Sequence, residues 1–215
     1  VICYEFDNSP DHLAGDIDYS GEKTLCAMRV AVELLNQTAG YVHYDKFYEG
    51  LDRITTVVRN ARKMVAQRAK AFAQEYADDS VIYTMGSGAG YGAAYMESIC
   101  IFMEMQWLDS SSIHTGEFFH GPFEITDANR PFMIQISEGS TRTLDERALK
   151  FLKTYAKRIE VLDAKELGLS VIDPSVVDYF NHSLFNNVYP IYNHELAETR
   201  KHPLSTRRYM WKVAY

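Results

Sequence analysis

Runs of like charge are missing from this sequence, and so is any long apolar stretch. With no cluster of Lys or Arg and a formal net charge of −7, the chain offers no basic patch for nucleic acid or an anionic membrane surface. The longest apolar run, around Ile99 to Met103, falls far short of the roughly 20 residues a helix needs to span a bilayer. Cysteine is scarce: Cys3, Cys26 and Cys100 are too few and too scattered for a disulfide framework or a metal site. No secretory pattern is legible, and the three thiols are expected to be buried and reduced in a cytoplasmic protein. No His-Cys-carboxylate cluster has metal-ligand spacing, and no Ser sits in a nucleophile-elbow motif.

Nearly half of the 215 residues are apolar and a quarter are charged, the profile of a globular chain long enough to bury one sizeable core. The chain opens mid-pattern at Val1-Ile2-Cys3-Tyr4-Glu5-Phe6, which reads as a strand already under way and leads us to expect preceding sequence in the full gene product. Helical periodicity follows over Ser20–Thr38, with Leu25, Met28, Val32 and Leu35 on one stripe. A long helix is predicted over Phe47–Tyr76, with Leu51, Ile54, Val58, Ala61, Val65 and Phe72 facing a core and Arg53, Arg59, Arg62, Lys63 and Arg68 facing water. Beyond it strands and helices alternate. Strands are expected at Val81–Thr84, Ser112–His114, Pro131–Ile136 and Arg158–Leu162, and helices at Tyr91–Leu108, Gly116–Phe119, Leu144–Tyr155 and Val176–Leu196. This order predicts an α/β fold, three layers α/β/α around a mostly parallel sheet with flavodoxin-like topology. Ligand sites in such sheets lie at the carboxyl ends of the strands. The expected division is residues 1–43 as a remnant of a first domain with its connecting helix, 44–196 as the α/β unit, and 197–215 as a tail.

Three places carry residues suited to chemistry. Gly86-Ser87-Gly88-Ala89-Gly90 is a small-residue turn opening a helix, where backbone amides favour an anion; the alternative is a tight strand-to-helix connection, since Rossmann and Walker spacings are absent. Glu104 lies among Phe102, Met103, Met105 and Trp107, where loss of hydration raises a carboxylate's pKa towards the range useful for moving protons. The alternative puts it on a solvated stripe with Glu97, one heptad earlier. His120 sits between aromatics and a Gly-Pro turn in Gly116-Glu117-Phe118-Phe119-His120-Gly121-Pro122, poised to exchange a proton near neutral pH. His43, His182, His194 and His202 read as ordinary surface or capping groups.

From Tyr91 to Asp127 the sequence resembles the second sugar isomerase (SIS) domain of glucosamine-6-phosphate synthase and its relatives. The shared pattern is a small-residue turn, a helix bearing a Glu, and Gly-Glu-x-x-His-Gly-Pro, with Glu104 and His120 sixteen residues apart. Over nearly the whole chain from Gly21 it resembles the SIS-domain fructosamine-6-phosphate deglycases, particularly those of fructose-asparagine catabolism. Ser87–Tyr95, Gly116–Asn129, Asp178–Pro190 and Thr206–Val213 carry that likeness.

The resemblance implies release of a free amino acid and glucose 6-phosphate from a 6-phosphorylated fructosamine, 6-phosphofructose-aspartate in particular. Glu104 would shuttle a proton from C1 to C2 and His120 would assist ring opening, with neither metal nor cofactor. Gly86, Ser87, Gly88, Glu117 and Lys212 would contact substrate, with the alternative for Glu117 of a helix N-terminal carboxylate that orients its loop. Arg207, Arg208 and Lys212 would face an acidic amino acid. The resemblance also implies a homodimer whose sites lie between subunits, with the loop His reaching across. The Ser-x-x-Gly-x-Thr phosphate loop of the related first domain does not occur in this chain. A sugar-phosphate sensor without chemistry and a simple aldose-ketose isomerase stand as alternatives.

Overall fold

The computed structural model describes residues 17–214; the strand expected at Val1–Phe6, and Cys3 with it, lie outside them. Strands β1 (Val81–Gly86), β2 (Asp109–His114), β3 (Phe132–Ile136) and β4 (Ile159–Asp163) form one parallel sheet in the order β2-β1-β3-β4. That is the flavodoxin-like order the alternation of elements predicts.

The period-two alternation of strand side chains divides the core into two layers. Ile82, Met133 and Leu162 point to one face, against α1 (Lys23–Ala39), α2 (Tyr44–Tyr76) and α5 (Asn181–Arg200). Met85, Phe132, Ile134 and Ile136 point to the other, against α4 (Arg142–Tyr155) and the aromatic segment holding Phe118, Phe119 and Phe123. The expected helix after β1 is present as α3 (Tyr91–Met96), which runs on without a break as a π-helix from Glu97 to Met105. The expected last helix is a 3-10 turn (Val177–Phe180) leading into α5. No helix among the described residues is long and apolar enough to cross a membrane.

Several local expectations need correction. Leu35 is 44% exposed: α1 stays helical to Ala39, but Val32 is its last buried residue. Arg62 is buried rather than solvated: its Nη1 donates to the Asn187 carbonyl of α5 at 2.6 Å, and its guanidinium lies over the Tyr19 ring. Cys26 and Cys100 are half-buried thiols rather than core residues.

The long α2 packs along α5, and at Gly50 it lies against Phe180 in the 3-10 turn that leads into α5. A methyl group there would lie 2.6 Å from the buried Phe180 ring. Gly50→Ala therefore overpacks this seam by more than the helix propensity of Ala offsets, and should destabilise the fold by about 1–3 kcal/mol. A lowered urea midpoint at unchanged slope would record it.

Candidate active site

At the carboxyl edge of the sheet, β1 and β2 end side by side, Gly86 opposite His114. The Thr115 amide donates to the Gly86 carbonyl at 2.9 Å. Beneath them lies Asp145 of α4, fully buried, which accepts from Thr115 Oγ1 at 2.6 Å and the Ser137 amide at 2.9 Å. Burial raises its pKa, against the lowering effect of those bonds. Asp145 thus ties the loops after β2 and β3 to α4, whereas the sequence pointed to Glu117 for orienting the loop after β2. The Glu117 side chain is exposed and makes no capping hydrogen bond to the 3-10 turn Phe118–His120 that it precedes. Nothing local in the sequence singles out Asp145, which reads as an ordinary first-turn helix carboxylate.

The glycines of the β1 turn serve close packing within the chain. A Cβ at Gly86 would strike Gln135, at Gly88 it would strike Thr141, and at Gly90 it would strike Ser137 Oγ, each at 2.5–2.7 Å. Gly88 also has φ +52°, which favours glycine. Ser87 is fully buried and its hydroxyl faces the Thr141 carbonyl at 3.4 Å. These contacts account for the glycines of the turn by close packing within the chain.

Glu104 lies elsewhere. The π-helix carries the chain back towards the amino edge, where the Asp109 amide meets the Ser80 carbonyl at 3.0 Å. Its i→i+5 ladder, seen in Gln106 N to Ile101 O at 2.8 Å, takes more residues per turn than an α-helix. Residues seven apart therefore leave a common stripe, so Glu104 does not share the solvated stripe expected with Glu97. Glu97 turns into the core, 0% exposed, and burial pushes its carboxyl up to about 8 despite a 3.2 Å hydrogen bond from Asn193 Nδ2 of α5. Glu104 is half-buried, and the fully desolvated carboxylate of this helix is Glu97.

The tail after α5 closes on Glu104. Arg207 Nε stands 3.3 Å from Glu104 Oε1, with only 12% of the Arg207 side chain and 27% of the Glu104 side chain exposed. Lys212 Nζ donates to the Arg207 carbonyl, so Lys212 and Glu104 share Arg207 as a neighbour. Gln106 Nε2 donates to the His202 carbonyl at 2.8 Å, the His202 ring meets Trp107 edge-on at 4.6 Å, and the Arg208 guanidinium covers Trp107 at 4.1 Å. His202 is thus part of this cluster, not an ordinary surface group. Trp107 and Trp211 both hold positive φ, 55° and 60°, a cost of about 1–3 kcal/mol that persists only where surroundings dictate it. The sequence drew attention to Glu104 and Lys212; Arg207 as the link between them is visible only in three dimensions.

His120 is exposed and lies past the end of β2 in the segment packed on the α4 face, while Glu104 belongs to the helix packed with α5. The elements that carry them thus pack against opposite faces of the sheet. Among the described residues no group of three or more His, Cys, Asp or Glu side chains is placed to hold a metal ion.

No protein-family profile matches the chain. It is 52% identical over 172 residues to the fructosamine deglycase FrlB of Bacillus subtilis (strain 168), covering 80% of this chain and 52% of that protein. It is 25% identical over 157 residues to the fructoselysine 6-phosphate deglycase of Escherichia coli (strain K12), covering 71% of this chain and 46% of that one. A crystal structure from Salmonella typhimurium LT2, provisionally assigned as a phosphosugar isomerase, superposes with a TM-score of 0.92 at 45% identity, covering 99% of this chain and 64% of that one. The parallel sheet, its strand order and this likeness define an α/β/α protein of the SIS phosphosugar class. Within that class the chain is a relative of the fructosamine deglycases. It spans about half the length of the curated relatives it matches.

Proposed function

We propose that this chain supplies the acid/base carboxylate of a deglycase that converts a 6-phosphorylated fructosamine to glucose 6-phosphate and a free amino acid. The observation that carries the reading is Glu104, a half-buried carboxylate held by Arg207 beneath the Lys212-bearing tail. The open-chain substrate has a C2 carbonyl and an amine on C1. Glu104 takes a proton from C1, giving an enolamine, and returns a proton at C2, giving the C1 imine of glucose 6-phosphate. Water adds to the imine carbon, and its collapse expels the amine. Arg207, 3.3 Å from Glu104 Oε1, aims the carboxylate. Residues 197–214 close over this centre and 44–196 form the α/β unit.

His120 opens the sugar ring from a second copy of the chain, because within one copy the elements carrying it and Glu104 pack against opposite faces of the sheet. The assembly in this reading is a homodimer with sites at the subunit interface.

The amine end of the substrate meets the cationic tail, where Arg207, Arg208 and Lys212 cluster around two tryptophans. That charge favours an acidic amino acid, and 6-phosphofructose-aspartate is the substrate we propose. Coupled measurement of glucose 6-phosphate release should give a higher kcat/KM for the aspartate conjugate than for the lysine conjugate. Arg208→Ala should lose the aspartate preference by about tenfold or more, the worth of one charge-assisted hydrogen bond. Equal turnover of both conjugates would overturn the aspartate assignment and leave the deglycase chemistry standing.

A further inference from the structure

Across the seam between the π-helix and α5, polar atoms are left over in a way that one proton resolves. Asn193 Nδ2 donates to Glu97 Oε2, while Glu97 Oε1 and Asn193 Oδ1 are both buried without a hydrogen-bond partner. Two unpaired acceptors on the two sides of one carboxyl-to-amide contact are costly to bury. An ionised carboxylate cannot relieve them, because it has no donor to offer. A carboxylic acid can: its O–H donates to Asn193 Oδ1 while its other oxygen accepts from Nδ2, closing a reciprocal ring.

We propose that Glu97 is held as a neutral acid in a reciprocal pair with Asn193, and that this pair pins the π-helical segment whose far end presents Glu104. Glu97 is then a positioning residue for the deglycase reaction, and this part rests on the function proposed above. Glu97 opens the π-helix and Glu104 lies one residue before its end, so the anchor at the first sets the rotation of the second. The surroundings agree with a neutral group. Glu97 is fully buried, and the titratable groups that face it are the Tyr189 phenol of α5 and the Cys100 thiol of its own helix, both of whose anions are disfavoured chiefly by burial. The phenol is engaged separately, donating to Gln135 Oε1 at 2.9 Å.

The fold also gains a defined pH dependence. Burial places the folded-state pKa of Glu97 at about 8, above the value of 4.5 for an unperturbed glutamate. Between those values the folded protein holds a proton that the unfolded chain has released. The stabilisation from this group is therefore whole below pH 4.5 and declines as pH rises through 8.

The test uses the full-length protein and its Glu97→Gln and Glu97→Ala variants. Gln preserves both bonds of the ring, and Ala removes them. At neutral pH the infrared difference spectrum of wild type against Glu97→Gln should contain the carbonyl band of a protonated carboxylic acid, shifted in D2O. A carboxylate band in its place overturns the neutral assignment. In hydrogen exchange read by mass spectrometry, peptides covering 97–108 should exchange about tenfold faster in Glu97→Ala and unchanged in Glu97→Gln, the scale expected for losing one net hydrogen bond. Unchanged exchange in Glu97→Ala overturns the pinning. For turnover, Glu97→Gln should stay within a few-fold of wild type, while Glu97→Ala should lose kcat far more than it changes KM. Wild-type protein that releases no glucose 6-phosphate sinks the deglycase reading alone, since the spectrum and the exchange rates are read without substrate.

Discussion

Glu104→Gln should lower kcat for glucose 6-phosphate release by about 10²–10⁴-fold, with substrate affinity little changed. Gln keeps the shape of the side chain and an oxygen for Arg207 but cannot accept a proton from C1. The carboxylate acts only while C–H bonds are being made and broken, so its loss falls on kcat rather than on KM. Arg207→Ala provides the complementary case. It leaves Glu104 in place but frees it from its ion pair, and it detaches the tail that carries Lys212. A Glu104→Gln variant retaining more than about a tenth of wild-type turnover would remove Glu104 from the chemistry.

The second large effect concerns two inactive proteins made active by mixing. Glu104→Gln and His120→Ala should each be inactive as homodimers. In a hybrid dimer one site joins the altered Glu104 to the altered His120, and the other joins an intact Glu104 to an intact His120. Co-expression at equal levels makes half of the dimers hybrids with one working site of two, so about a quarter of wild-type activity should return. A site built wholly within one chain gives no recovery. The same experiment separates a shared site from a long-range structural role of His120, since a folding defect in one chain would not be repaired in trans.

Much of the fold was legible because the sequence repeats simple periods. Ile82, Met133 and Leu162 fall on one side of their strands and Met85, Phe132 and Ile134 on the other, and short buried strands separated by amphipathic helices admit few arrangements besides a parallel sheet with two helical layers. What was not legible depends on contacts far apart in the chain. Arg62 has the sequence context of a solvated helix arginine, and only the Asn187 carbonyl, 125 residues on, draws it inside. The segment 97–105 is apolar nearly all round, so no stripe betrays its period. Spacing alone therefore placed Glu97 and Glu104 on one face, when the π-helix sends one into the core and the other towards the tail. The tail itself has no regular structure to predict; Arg-Trp and His-Trp stacking between residues about a hundred apart holds it in place.

Glu104 and His120 stand on opposite faces of one sheet. An enzyme that splits its working groups between two copies is active only as an assembly, so its specific activity becomes a function of its own concentration. Dilution below the dissociation constant of the dimer would then switch off turnover while every chain remained folded, and substrate bridging the interface would draw the copies back together. Catalysis and assembly in such a protein share one equilibrium, and the amount of chain in the cell regulates both.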